Sequence, residues 1–330
     1  MIKITYSILF FILAVFNLSC SKVKDQPYVP LYEIKPNAKI PEFDQDFAYE
    51  QIEKQVSFGP RNPGSKGHMA ALNYIQSELS KFTDDVVLQH FSYQGYGNET
   101  LQLTNIIAKF NPQNIHRIIF CAHWDTRPRA EEDKDVNLQN KPILGANDGG
   151  SGVGIILELA RLLKSNQITY GIDLILFDGE DYGKPNDLEN YSLGAKYFAA
   201  NLPQDYQPVF AVLLDMVGDK DTIFPLEGNS RSYAPEVQSI IWSLANQIGA
   251  YKFINKKEES IYDDHIALNE SGIQTVDIID LELIGANTQI ERRNYWHTQN
   301  DTMKNIGKNT LKQVGNVIAK LIWSIRFNNV

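Results

Sequence analysis

Several short segments of this chain place a carboxylate or an imidazole directly after an apolar run. His123 and Asp125 follow residues 118–122, and Asp178, Glu180 and Asp181 follow 172–177. Asp215 follows 209–214, His297 follows Trp296, Asp263 and Asp264 stand beside His265, and Asp148 precedes the apolar run that begins at Ser151. So many carboxylates cannot share a cleft as free anions, because like charges in a low dielectric raise each other's pKa and cost stability. A divalent cation removes the conflict. Imidazole with carboxylate oxygen, and no thiolate among them, suits catalytic zinc with an open coordination position. Any one of these residues alone would be an ordinary solvated acid or a hydrogen-bonded histidine; their joint placement argues for a metal. Residues 145–152, Gly-Ala-Asn-Asp-Gly-Gly-Ser-Gly, are too glycine-dense for a strand or helix and run straight into an apolar stretch. A helix N-terminus there favours an anion, which places Asp148 to meet a cation. The Gly-Lys-Ser/Thr ending of a phosphate-binding loop is missing.

The elements that must bring these segments together are legible as periodicities. Apolar residues recur at helical spacing over 43–58 and 67–82, separated by the turn 59–64. Strand-like runs follow at 86–93, 101–110 and 117–122. Helical patterns at 151–164, 193–200, 235–248 and 309–325 then alternate with strands at 172–177, 209–214 and 274–279. This order predicts one α/β domain over 43–330, with a mixed, mostly parallel central sheet and helices on both faces. In such sheets ligands bind beyond the carboxyl ends of the central strands, where the acids and imidazoles lie. The charged loop 127–141 is long enough to act as a lid, or else is a solvated excursion. Cys121, inside an apolar run, reads as a small buried hydrophobe rather than a catalytic thiol.

Composition narrows the partners. A chain of 330 residues with 43% hydrophobic and 22% charged residues is ordinary for a globular protein. Its formal net charge of -9 argues against a nucleic-acid or anionic-membrane surface. The start of the chain holds Lys3, the apolar run 8–16 and then Asn17-Leu18-Ser19-Cys20. That run is shorter than the ~20 residues needed to cross a bilayer and reads as a secretory signal. Its end resembles a bacterial lipoprotein lipobox, with Asn17 where an aliphatic residue is usual. The expectation is therefore a signal peptide over 1–19, lipid on Cys20 and a tether over 20–42. The enzyme would then be an exported monomer of the cell envelope, touching the membrane through its lipid alone. With Cys20 lipidated, Cys121 has no partner and a disulfide scaffold is excluded.

Five ordered motifs resemble those of zinc aminopeptidases of the co-catalytic exopeptidase fold: His123-Trp124-Asp125, Gly145-Ala146-Asn147-Asp148, Phe177-Asp178-Gly179-Glu180-Asp181, Leu214-Asp215-Met216-Val217-Gly218 and Trp296-His297-Thr298. Within that fold, Phe58-Gly59-Pro60-Arg61 with Pro63-Gly64-Ser65, Phe224-Pro225 with Asn229-Ser230, the doubled aspartate of Asp263-Asp264-His265-Ile266, and Trp296 before His297 resemble the glutaminyl cyclase branch. That branch closes an N-terminal glutamine into pyroglutamate with loss of ammonia. The resemblance implies one zinc held by Asp148, Asp181 and His297, Glu180 as general acid/base, and Asp215 and Asp263 in a proton-sharing network. Trp296 would line the substrate pocket, and Asp277 is assigned there with it. Eukaryotic-type cyclases have Glu where Asp181 stands and His where Asp277 stands, and carry a tryptophan that is missing from 182–190. The rival within the fold is a two-zinc aminopeptidase, in which His123 and Asp215 bind the second ion, Asp148 bridges the pair and Glu180 activates a metal-bound water. A non-catalytic surface protein of this fold has no need of the ligands and Glu180, all of which are present here.

Overall fold

The structure, a computed structural model, describes residues 30–328 except residue 36; the segment read as a signal and the expected lipid site Cys20 lie outside the described residues. The chain begins with β1 (Tyr32–Ile34), α1 (Gln45–Ser57), α2 (Lys66–Leu79), β2 (Val86–Gln94), β3 (Thr100–Phe110), β4 (Arg117–His123), α3 (Gly150–Ser165) and β5 (Gly171–Phe177). It continues through α4 (Leu193–Ala200), β6 (Phe210–Asp215), β7 (Phe224–Leu226), α5 (Gly228–Tyr233), α6 (Pro235–Gln247), β8 (Phe253–Lys257), α7 (Asp264–Glu270), β9 (Thr275–Ile279), α8 (Lys308–Ser324) and β10 (Ile325–Phe327).

Six strands form the central sheet in the order β2-β3-β5-β4-β6-β9. β5, β4, β6 and β9 run parallel, whereas β2 and β3 form an antiparallel hairpin that joins antiparallel to β5. The central strands are buried along their whole length because both faces are covered, as continuous apolar runs require. Ile118, Phe120, Ala122, Leu174, Leu176, Val212 and Leu214 enter the core shared with α1, α2, α3, α6 and α8. Their neighbours Ile119, Cys121, Ile175, Ala211 and Leu213 point the other way, onto Ala195 and Phe198 of α4 and Ala267 and Leu268 of α7. Side-chain caps start the first helices: Asp44 accepts the N–H of Asp46 and Phe47 at 3.0 and 3.1 Å, and Ser65 accepts that of His68 at 3.0 Å.

The expected α/β sheet with helices on both faces is present, and every helix and strand expected from periodicity is found. What differs is short. β1 lies inside the stretch read as a tether and pairs antiparallel with β10, Tyr32 opposite Phe327. Tyr32 and Ile34 pack on the core, the Tyr32 ring 5.8 Å from that of Phe210, so the folded unit begins before residue 43. β7, β8, α5 and α7 were not anticipated, because three to seven residues carry too little periodicity to stand out. No helix among the described residues is long and apolar enough to cross a membrane.

Candidate active site and metal centre

Parallel β4, β5 and β6 end side by side, and the residues just past their carboxyl ends meet. β4 ends at His123 and β6 at Asp215. After β5, Gly179 turns the chain at φ 73° into the short 3-10 turn Glu180–Tyr182. Asp125 holds this turn: its carboxylate accepts the N–H of Glu180 at 3.1 Å and of Asp181 at 3.3 Å. The glycine-rich stretch delivers Asp148 just before α3. Gly149, at φ 30°, is required here, because a Cβ would lie 2.7 Å from the His123 carbonyl and 2.8 Å from its ring. Asp301 accepts the N–H groups of Asn147 and Asp148 at 2.9 and 3.0 Å. From behind, buried Arg61 donates to the carbonyls of Trp124, Leu144 and Gly145 at 3.1, 2.7 and 2.8 Å.

Among the described residues three sets of ligand atoms could hold an ion; two share Asp148, and the third is Asp263, His265 and Asp277 beside α7 and β9. Asp148, Asp181 and His297, all buried, bring one atom each to within 4.8 Å of one another. The His297 Nε2 lies 3.4 Å from Asp181 Oδ1 and 3.8 Å from Asp148 Oδ2. Asp181 Oδ2 is buried without a hydrogen-bond partner. A buried carboxylate oxygen without a donor is costly unless a cation meets it, and two carboxylates plus one imidazole match a zinc site with an open position. The residues therefore fit zinc. The second set is His123, Asp148 and Asp215. His123 Nε2 is 3.2 Å from both Asp148 Oδ1 and Asp215 Oδ1, and the Gly149 N–H also points at it from 3.2 Å. Burial opposes a charged ring, yet Asp125, Asp148 and Asp215 outweigh it and raise His123 well above the ordinary imidazole value. The Gly149 N–H donates to Nε2, so in this geometry that nitrogen presents its lone pair, while Nδ1 faces Asp125 Oδ1 at 3.4 Å.

A few ångströms away carboxyls crowd together, and burial with their mutual repulsion outweighs the opposing His123. Burial, then Asp263 above all, raises the Glu180 carboxyl well above its usual range. Burial with Asp215 and Asp264 does the same to Asp263, and burial puts Asp264 at about 7. Asp263 caps α7 through the N–H of Asp264, while its Oδ2 has no hydrogen-bond partner. A carboxyl raised in this way exchanges a proton nearer neutral pH than an ordinary one, which suits a proton carrier.

Between the two groups lies a pocket of about 400 Å³, walled by Asp148, Glu180, Asp181, Asp215, Asp263 and Trp296, with Leu188, Tyr191 and Tyr262 also on its lining. Trp296 stacks on His297, ring centroids 3.4 Å apart. A wider cleft of about 660 Å³ lies elsewhere, between the 132–134 and 291–305 segments, and holds neither ligand set. Asp277, assigned to the substrate pocket from sequence, is not on its wall. It sits mid-strand in β9, fully buried, 3.7 Å from His265 Nδ1, because alternation along β9 turns it beneath the pocket. Asp178 does not join the site either; His68 Nε2 binds both its oxygens at 2.9 and 3.0 Å and the Thr104 N–H donates to it at 2.7 Å. Sequence reasoning gave no role to Asp125, Asp301 or Arg127, whose work is to hold other residues. Cys121 is buried, 3.6 Å from the Val212 carbonyl, and burial pushes its thiol well up, so it is no nucleophile.

The profile described as Peptidase family M28 matches residues 105–322. Among solved structures, the chain is similar to the glutaminyl cyclase of Bacteroides thetaiotaomicron bound to N-acetylhistamine: 40% identity, 86% of this chain and 99% of that one covered, TM-score 0.82. It is also similar to a protein described as a leucine aminopeptidase precursor from Bacteroides thetaiotaomicron VPI-5482, at 40% identity, with 87% and 99% covered and a TM-score of 0.81. Aminopeptidase YwaD of Bacillus subtilis is 25% identical over 88% of this chain. The chain spans 43% and 59% of the length of the first two curated relatives it matches.

Proposed function

The chain belongs to peptidase family M28, and we propose that within it this zinc enzyme is a glutaminyl cyclase, converting the N-terminal glutamine of peptides or proteins to pyroglutamate with release of ammonia. The observation that carries the reading is the placement of Glu180 and Asp263, two buried carboxyls on the wall of the pocket that also holds Asp148, Asp181 and His297; burial and then Asp263 raise Glu180, and burial and then Asp215 raise Asp263. A transfer in which one proton leaves an amine and returns to another nitrogen needs such a pair; activation of a water between two metals does not. The full-length likeness to a glutaminyl cyclase at 40% identity supports the same choice.

Bound at Asp148, Asp181 and His297, zinc would act as a Lewis acid on the γ-carbonyl of the substrate glutamine. The remaining work falls to the chain's own side chains. Glu180 accepts a proton from the α-amine as that nitrogen attacks the γ-carbon, then returns it to the departing amide nitrogen, which leaves as ammonia. Asp263 helps set how readily Glu180 takes and gives that proton, and Asp215 acts on Asp263 in turn; Asp277 lies behind them as the buried end of the carboxyl group. Trp296 offers a flat wall to the glutamine side chain. The acidic pocket suits a substrate that brings a free amino terminus together with the glutamine side chain.

The rival reading, a two-zinc aminopeptidase, draws on the His123, Asp148 and Asp215 set and on the likeness to a protein of that description. The geometry of His123 allows this set as well, so the choice between the readings rests on Glu180 with Asp263 and on the activity profile. The purified enzyme is expected to convert Gln-peptides to pyroglutamyl peptides and barely to hydrolyse Leu- or Ala-anilides; the reverse profile would move the assignment to aminopeptidase. The same reading places it in a bacterial cell envelope as a monomer anchored by lipid on Cys20, with 1–19 removed. Incorporation of labelled palmitate that disappears in Cys20→Ser tests this, and equal labelling of the variant would overturn it.

A further inference from the structure

Asp181 and His297 come from distant parts of the chain, yet both are held by one short stretch of the 127–141 loop. The Arg127 guanidinium is fully buried. Its Nη1 donates to Asp181 Oδ1 at 2.6 Å and to the Asp181 carbonyl at 3.2 Å, while its Nε donates to Glu131 Oε1 at 2.6 Å and its Nη2 to the same oxygen. That Glu131 oxygen faces His297 Nδ1 at 3.5 Å. The next residues grip the backbone around His297: the Glu132 N–H donates to the His297 carbonyl at 3.2 Å and Asp133 accepts the Gln299 N–H at 3.0 Å. His297 stands at φ 52°, a conformation that a non-glycine residue keeps only when its surroundings hold it.

We propose that residues 127–133 form a clasp that sets zinc retention, with Arg127 and Glu131 as positioning residues for Asp181 and His297. Arg127 occupies Asp181 Oδ1 and leaves Oδ2, which has no other partner, for the ion. Glu131 draws the ring proton of His297 to Nδ1, which leaves the Nε2 lone pair facing Asp181 and Asp148. A carboxylate behind a metal-binding histidine fixes its tautomer and raises its basicity. The loop is therefore neither a mobile lid nor a solvated excursion at its first seven residues. The inference rests on Asp148, Asp181 and His297 being the zinc ligands and not on which reaction the enzyme runs.

The test is zinc affinity and zinc dissociation rate, read by competition with a chromophoric chelator well below the unfolding temperature of each variant. Glu131→Gln keeps the shape of the side chain and removes its charge; it is expected to weaken zinc binding roughly 10–100-fold. Arg127→Met should weaken it at least as much. Arg127→Lys should not rescue, because a point charge cannot serve Asp181 and Glu131 together. Should Arg127→Met fail to fold, Glu131→Gln still decides. Zinc affinity and release in Glu131→Gln equal to wild type would overturn the clasp, even if its thermal stability fell. Asp181→Ala separates the two levels of the argument. If it loses zinc while Glu131→Gln keeps it, the clasp alone is wrong; if it keeps zinc at wild-type affinity, the ligand assignment falls and the clasp with it.

Discussion

Asp181 and Asp263 are both buried aspartates on the wall of one pocket, and they differ in what stands behind them. Burial raises both. Behind Asp181 is the Arg127 guanidinium at 2.6 Å, with His297 at 3.4 Å, and these overcome burial and hold the carboxylate far below its usual value. Around Asp263 stand Asp215 and Asp264, which push it further up. The same residue type thus becomes a permanent anion on one side and a proton store on the other. Zinc needs the first and proton transfer the second, and a pocket of about 400 Å³ holds both because the compensating charge is placed on one side only.

The largest expected effect tests the proton side. Glu180→Gln removes the proton carrier and no ligand, so turnover should fall by roughly the 10²–10⁴-fold that general acid/base transfer supplies, or more. Metal analysis should still find one zinc per chain. Retention of most of the rate would mean that Glu180 does not carry the proton. Asp263→Asn is next. It keeps the α7 cap oxygen but cannot exchange a proton, and kcat should drop by roughly 10²-fold, at the low end of the same range, with zinc content intact. Zinc loss in this variant would erase the distinction between the two aspartates.

His123→Ala probes the boundary between the two sides. With a single zinc on Asp148, Asp181 and His297, one equivalent should survive dialysis against metal-free buffer in wild type and variant alike. The rate should fall more modestly than in Glu180→Gln, because Asp215 and Asp148 lose the imidazole that stands 3.2 Å from each of them. Two equivalents falling to one would make His123 a ligand, with metals roughly 3.5–4 Å apart as in two-metal sites, and would favour hydrolysis.

The comparison also explains what could be read from the chain alone. The sheet was legible because four parallel strands must be apolar throughout, and the acids that end those runs stand out against them. Asp148, Asp181, Asp215, Glu180 and His297 are all found together by that signal. Asp178 carries the same signal and does not belong on the pocket wall, because it is taken up by His68 from α2, a residue 110 positions away; Asp277, assigned through the resemblance and not by ending a run, is turned under that wall by strand alternation. Arg127 and Glu131 lie in a loop without periodicity, so nothing local marks them. Their partners are defined only once β4, β5 and the 296–299 turn are in place. Likewise β1 is three residues among prolines, and only Phe210 and Phe327 across the fold make it a strand.

The smallest effect is on stability, and its sign follows from the raised groups. In the metal-free protein Asp264 and Asp301 are held at about 7, and Glu180, Asp263 and Asp277 well above the usual carboxylate value. Carboxyls raised in the folded state contribute fully below their unfolded value of about 4 and lose that contribution as pH climbs through the folded value. His68, His123 and His297, also raised, act in the same direction from about 6.5 upward. Glu131 and Glu227, lowered to about 2, lose theirs only as pH falls below about 4. Metal-free enzyme should therefore be most stable at about pH 4 to 5 and lose stability towards pH 8, by less than the separate groups would sum to, since clustered groups share protons. Zinc reverses the slope, because it binds the ionised carboxylates and stabilises by mass action, about 4 kcal/mol at a thousand times its Kd. The rise in Tm on adding zinc should be larger at pH 8 than at pH 5. A metal-free Tm that is flat or climbs between those values would show that the carboxyls are not protonated in the fold, and the division between Asp181 and Asp263 would lose its physical basis.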